Sequence, residues 1–492
     1  MVFSSILFIF LFLPISILLT LIVPGKFRNI LLIILSSVFY FWGEKFLISI
    51  VYLSIFINYI SGLLLAWDDR KEKLKPQALS FRKAVLVCSI VGNLAILGYY
   101  KYFNFLVENL QKFLTDIGSN TAIFESIPHV ILPLGVSFFT FQALSYTIDV
   151  YRREVKATKN LFDLACYITM FPQLVAGPIV RYKDIERQLK NPRIKAEEFY
   201  QGIQLFILGL SQKLLIANTV AKTADTIFSM PAESLSAPLA WSGALSYALQ
   251  IYFDFSGYSN MAIGIGLMLG FRFPENFNYP YISQSIQEFW RRWHISLSTW
   301  FRDYLYIPLG GNRKSPIRTY INLLIVFLLC GLWHGGQWTF VLWGLYHGLF
   351  LALEKKGIKR LLDQIAPPLR YLYSIPVILV GWVLFRTESL NQCIIYLTAM
   401  AGQNQELTQP HHPILLYLRN DVLLAWAFGI FFSTPCLKNL ITAVRKRSGE
   451  TFTRSKFLIF ETCRMGVLTI LLIFCLANLS SSAYNPFLYF RF

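Results

Sequence analysis

Apolar runs long enough to cross a bilayer recur along this chain, and short basic loops separate them. A spanning helix needs about 20 predominantly apolar residues. Residues 3–23, 46–66 and 129–150 meet that length outright, while other runs are interrupted by polar residues or fall short. Composition agrees: 55% of the residues are hydrophobic and 15% charged, against roughly 25% charged in soluble domains. The expected fold class is an all-α polytopic membrane protein, read as one integral-membrane domain over residues 1–492. No basic stretch precedes Phe3 and no small-residue cleavage site stands out, so the first run reads as a transmembrane helix rather than a cleavable signal.

The net charge of +18 is explained by its distribution. Basic residues cluster in the loops: Arg70 to Lys83, Arg152 to Lys159, Arg181 to Lys195, Arg313 to Arg318, Lys355 to Arg360, and Arg445 to Arg447. This is the positive-inside pattern, which places those loops in the cytoplasm; a multi-pass protein of the plasma (inner) membrane is the expected location. The clusters lack interleaved stacking aromatics, so nucleic acid is not an expected partner. The seven cysteines show no metal-ligand spacing, no metal is expected, and most sit in apolar runs as buried thiols.

Parity then fixes a path. With Lys26 and Arg28 inside, the N-terminus lies outside; a second helix starts near Asn29, turns at residues 43–45, and a third descends to the basic loop at 68–83. A fourth rises from Ala84 to about Tyr100, and the span from His129 descends to Arg152. The run 161–180 has basic loops at both ends and contains Pro172 and Gly177-Pro178, so it is expected to be a re-entrant or broken helix. Residues 281–306 carry an apolar seam stepping by threes and fours beside many charges, which predicts one amphipathic interfacial helix with Glu288 and Arg292 paired along it. Residues 387–409 read as a polar loop, and runs near 414–432 and 457–477 complete the chain.

Residues 320–353 are flanked by basic loops and contain Gly331-Leu-Trp-His-Gly-Gly-Gln-Trp338. An arm of about 12 residues spans only about 18 Å, less than the roughly 30 Å hydrocarbon core. A hairpin with His334 at its tip inside the membrane is expected, with Gly335 and Gly336 permitting the break. A membrane-depth histidine points to function, because imidazole exchanges protons near neutral pH; the competing reading is a histidine that only ties the turn to a backbone carbonyl. His294, beside the seam and near Arg291 and Ser298, is the second candidate, against an interfacial histidine contacting headgroups. His347 reads as packed and hydrogen-bonded, His129 as interfacial, and His411-His412 as a weak metal signal. Asp254, within an otherwise apolar helix, needs a partner: it binds substrate, holds a histidine, or pairs with an arginine.

These stretches carry a family resemblance: Leu132 to Gln142, Phe171 to Pro178, Gln250 to Ser259, Glu288 to Ser298, Arg302 to Gly311, Leu332 to Gly335 and Trp343 to Gly348. Their order and content resemble the bacterial membrane-bound O-acyltransferases, in the branch that O-acetylates polysaccharides such as alginate. Two positions depart from it, Asn260 where relatives often have Asp and Gly336 where they often have Ala. The core motifs fall within residues 129–350. The resemblance implies a ring of roughly ten or more transmembrane and re-entrant helices around a central tunnel. It implies His334 as catalytic residue and His294 as a second active-site residue, with Asp254, Tyr258, Arg291, Trp293, Trp333 and Trp338 binding substrate or supporting the site. No cofactor is expected to be bound; an acyl thioester such as acetyl-CoA is a substrate, His334 the general base, and the oxyanion donor open among Tyr258, a backbone amide near Gly335, and His294. A polysaccharide acceptor and an extracytoplasmic acetyltransferase or relay protein are the expected partners. D-alanyl transfer from a carrier protein to teichoic acid is the nearest alternative, and a proton-coupled transporter or a non-catalytic scaffold the alternatives of another class.

Overall fold

The computed structural model describes residues 1–67, 76–403, 414–447, 454–481 and 484–486. Among the described residues every regular element is helical. Six helical stretches are long and apolar enough to span a bilayer, seven if the bent pair after Asn420 is taken as one span. The other helices are shorter, broken or more polar. His411 and His412, and the basic residues Arg70 to Lys75, lie outside the described residues.

The centre is the Ala237–Leu269 helix, which is buried along almost its whole length. It packs on Ala196–Ser211 through glycines on both sides: a Cβ at Gly202 would come within 2.5 Å of the Gly264 carbonyl oxygen, and Gly209 and Gly257 meet in the same way. Small residues let helix backbones approach where lipid supplies no hydrophobic drive. A second contact, among Ile48–Trp67, Pro76–Asp116 and Val136–Tyr151, is polar. Asn58 Oδ1 accepts from Ser89 Oγ (3.2 Å), Asn93 Nδ2 (3.3 Å) and Thr147 Oγ1 (2.7 Å). Asn58 Nδ2 donates to the Ser54 carbonyl and to Asn93 Oδ1, at 2.8 and 3.0 Å.

Several expectations are met. The second helix ends at Glu44, with Lys45 at φ 50°. The run 161–180 is broken: Leu161–Thr169 stops at Met170, a four-residue turn Phe171–Leu174 follows, and the rest is irregular backbone buried in protein. Glu288 and Arg292 pair at 2.9 Å.

Others are corrected. The fourth helix does not end at Tyr100 but runs over Pro76–Asp116. The span placed at 129–150 is helical only from Val136, because Pro133 precedes a left-handed Gly135 (φ 76°) that lies against the Leu174 carbonyl. The seam at 281–306 is not one helix: Ile286–Arg292 and Ile295–Phe301 are separated by His294 in the left-handed region (φ 42°). That break turns His294 inward, to 1% exposure, away from the exposed Arg291 with which it was expected to share a face. Residues 387–409 include a helix, Leu390–Met400, capped by the Ser389 side chain.

Candidate functional site

The hairpin forms as expected, but its first arm is longer. Pro316 at the first turn and the Ser315 side chain, which accepts from Arg318 N, start the helix four residues before Tyr320. Pro316–His334 has 19 residues, about 28 Å of helix, which is close to the hydrocarbon thickness. Trp338–Leu353 returns beside it, and Gly331 and Gly344 let the arms touch. Gly335 is extended (φ −177°), so its lack of a side chain serves space rather than backbone freedom: a Cβ there would lie 2.5 Å from the Phe340 ring.

His334 is the last residue of the first arm and is 4% exposed. Its ring is boxed by Trp333 (4.9 Å between centroids), Trp343 (5.0 Å) and Phe385 (5.0 Å). The last carbonyls of a helix have no partner within it and form the negative end of its dipole. Here the Pro76–Asp116 helix supplies partners: Tyr102 Oη donates to the Leu332 carbonyl at 2.6 Å, and the Lys101 ammonium donates to the Trp333 carbonyl and to Ser137 Oγ. Lys101 is buried, with its charge 5.5 Å from the Trp333 ring centroid.

Sequence reasoning missed Lys101. Ending the fourth helix at Tyr100 placed this lysine at a membrane boundary. The available signal was the apolar and aromatic run continuing through Tyr102, Phe103, Phe105 and Leu106.

His294 reaches the same place from the other side. Its strained backbone is held by Asn276, whose carbonyl oxygen accepts from Ile295 N at 2.9 Å. The Asn276 side-chain oxygen accepts from Ser296 N (3.2 Å) and Ser296 Oγ (2.9 Å) and lies 3.1 Å from His294 Nδ1, while Asn276 Nδ2 donates to Ser259 Oγ at 3.0 Å. That set makes Nδ1 the protonated nitrogen. Nε2 is left as an acceptor, buried and without a hydrogen-bond partner among the described residues. The Trp333 ring lies between the histidines, 4.9 Å from His334 and 6.1 Å from His294, with Phe138 packed on both Trp333 and His294.

A cleft of about 410 Å³ lies alongside the first arm of the hairpin. Gln287, Arg291 and Arg302 line its polar part, and it extends to Cys330, one helical turn before His334. A second, polar cleft of about 470 Å³ adjoins it through Gln287 and Arg291, with Arg292, Lys359 and Arg370 on its walls.

The structure therefore joins His334, Trp333 and His294, and puts Arg291 on the cleft wall. Trp293 belongs to an aromatic stack with Phe277 and Trp382 (5.0 and 4.7 Å). Trp338 is 55% exposed, with its indole nitrogen donating to Asn109. Asp254 pairs with Lys213 at 2.6 Å, a structural ion pair with a lysine rather than with the arginine that one of the open readings named, and both are buried. Tyr258, one turn on, stacks on Phe3 at 4.5 Å. The adjacent face of the same helix turns Phe255 to His294 and Ser259 to Asn276. His347 accepts from Trp290 Nε1 at 3.4 Å and is packed, as expected.

The sequence profile of the membrane-bound O-acyltransferase family matches residues 137–391, which contain both histidines and the cleft. A probable alginate O-acetylase of Pseudomonas aeruginosa is 39% identical over the whole of both chains. A peptidoglycan O-acetyltransferase of Helicobacter pylori is 33% identical over all of this chain and 98% of its own. A teichoic acid D-alanyltransferase of Bacillus subtilis is 31% identical over 46% of this chain and 60% of its own. With helices fit to span a membrane and relatives matched end to end, the chain is a multi-pass membrane O-acyltransferase and belongs to the membrane-bound O-acyltransferase family.

Proposed function

We propose that the protein takes an acetyl group from a cytosolic thioester, acetyl-CoA, and delivers it across the plasma (inner) membrane for O-acetylation of an exported polysaccharide of the alginate type. The observation that carries this reading is the cleft: Arg291 and Arg302 line it, and so does Cys330, one turn before His334. Arginines suit the phosphates of a coenzyme, and Cys330 brings the lining within one helical turn of the histidine.

His334, held at the end of its helix by the Lys101 and Tyr102 contacts, takes the proton of the acceptor hydroxyl as general base, a role worth about 10²–10⁴-fold. The oxygen attacks the thioester carbonyl, the tetrahedral oxyanion collapses, the ester forms, and the thiolate leaves with the proton returned by His334. His294 presents Nε2 to accept a hydrogen bond from a second polar group beside the acceptor hydroxyl. An extracytoplasmic acetyltransferase completes delivery to the polymer.

Full-length matches to acetyl-transferring relatives, against less than half of this chain for the D-alanyl relative, favour acetyl over D-alanyl. The test is ester acetate on alginate from a producing strain whose own acetylase gene is deleted and replaced by this one. Wild type restores the ester, and His334→Ala abolishes it with the protein still present in the membrane. Wild-type acetylation by His334→Ala sinks the base assignment, and D-alanyl ester in place of acetate sinks the donor.

A further inference from the structure

We propose that the indole N–H of Trp333 is the donor that binds the thioester carbonyl and its oxyanion, a specific catalytic role for a residue whose part in the site was left open. The inference rests on the acyl-transfer reading above. Trp333 is 3% exposed, and its Nε1 is buried with no hydrogen-bond acceptor among the described residues. Buried N–H groups in native proteins are almost always paired. The same residue is otherwise tightly held. Its carbonyl takes the Lys101 ammonium, and its ring packs on Phe138 and Phe141 (5.4 and 5.6 Å). The Lys101 side-chain nitrogen also lies 5.5 Å from the ring centroid and helps hold the ring in place.

Placement matches the chemistry. The indole ring packs against both the base, His334, and His294, whose Nε2 is likewise buried without a hydrogen-bond partner among the described residues. One atom offers a proton to an oxygen that gains charge; the other accepts from a hydroxyl-bearing substrate. A donor fixed beforehand and aimed at developing charge is what oxyanion stabilisation requires. In the step, the carbonyl π pair moves onto oxygen as the hydroxyl oxygen bonds to carbon, and Trp333 Nε1–H hydrogen-bonds that oxygen without transferring its proton. The pair returns as the thiolate leaves.

Trp343 provides the comparison. Its indole also lies beside His334 and its Nε1 is also without a partner, but its other neighbours are Trp290, His347 and Phe385 rather than His294. The experiment uses inverted membrane vesicles from the alginate-producing deletion host carrying the full-length chain, with acetyl-CoA as donor and free thiol plus polymer acetate as readouts. Trp333→Phe keeps the ring and removes only the N–H. It should lower kcat by about 10²–10³-fold, leave the acetyl-CoA KM within about twofold, and leave the thermal midpoint of the purified protein equal or higher. Trp343→Phe, which changes a wall of the His334 box, should lower kcat at least about tenfold less than Trp333→Phe does. A wild-type kcat for Trp333→Phe, equal losses in both variants, or a loss accompanied by a large fall in thermal midpoint would each overturn the assignment. His334→Ala separates the layers: if it is inert while Trp333→Phe is fully active, only this inference fails, and if it is active, the base assignment fails first.

Discussion

Two buried polar regions sit within the helical bundle, and they differ in how their hydrogen bonds close. Around Asn58 and Asn93 both ends of the Asn58 amide are engaged, with Ser54, Ser89 and Thr147 completing the set. Around His334 and His294 the backbone is equally well tied, through Lys101, Tyr102 and Asn276, yet His294 Nε2 and Trp333 Nε1 are left over. An unmet buried donor or acceptor costs about 1–3 kcal/mol. A fold that can build the Asn58 network has the means to avoid that cost. Two unmet atoms on the packed rings of Trp333 and His294, beside His334, suit a place that receives another molecule, whereas the closed network is helix-to-helix glue.

The comparison breaks first at Asn276. Its side chain fixes the His294 tautomer and holds the left-handed turn through Ser296. Asn276→Leu should lower kcat by about 10–100-fold, by analogy with the groups that orient metal-bound histidines, with Asn276→Asp recovering part of it because an acceptor remains. Vesicle kinetics with acetyl-CoA measure this, and an unchanged kcat in Asn276→Leu would mean that the orientation of His294 has no bearing on the reaction.

Lys101 belongs to both kinds of region, since it is fully engaged and yet supports the site. Lys101→Met strips the Trp333 carbonyl and Ser137 Oγ of their donor. Activity should fall by about tenfold and stability by about 1–3 kcal/mol, seen together in vesicle kinetics and in the thermal midpoint. Loss of stability with full kcat would return Lys101 to a purely structural role. Trp333→Phe has the opposite signature, and the two variants separate tying the tip from acting at it.

What the sequence could reveal follows from the range of the forces involved. Loop charges and the Leu-Trp-His-Gly run placed His334 at a hairpin tip, because both are local features of one segment. Pro172 and Gly177-Pro178 marked the broken run for the same reason. The break at His294 was hidden: the threes-and-fours seam continues through it, and what opens the helix is Asn276, 18 residues earlier in the chain. Tertiary hydrogen bonding overrides a periodic pattern there. Lys101 was hidden by the opposite error, since the span was ended one residue before it, while its partners are Ser137 and a carbonyl 232 residues away. Asp254 showed that a buried carboxylate needs a partner, but not which face of its helix it would share or that Lys213 would provide it.

The mildest change tests the closed network. Asn58→Leu removes an amide that bonds three neighbouring helical segments and leaves Thr147, Ser89 and Asn93 to find other partners. Polar contacts between membrane helices contribute about 0.6 kcal/mol on average and up to about 1.7, and orphaned partners add to the loss. The thermal midpoint should drop modestly, while kcat and acetyl-CoA KM of the folded protein stay at wild type. If the network is glue, stability and activity separate in this direction, the reverse of Trp333→Phe. A clear fall in kcat at unchanged stability would show that the network between these helices also governs the site, and closure of hydrogen bonds would then cease to distinguish scaffold from catalytic centre in this protein.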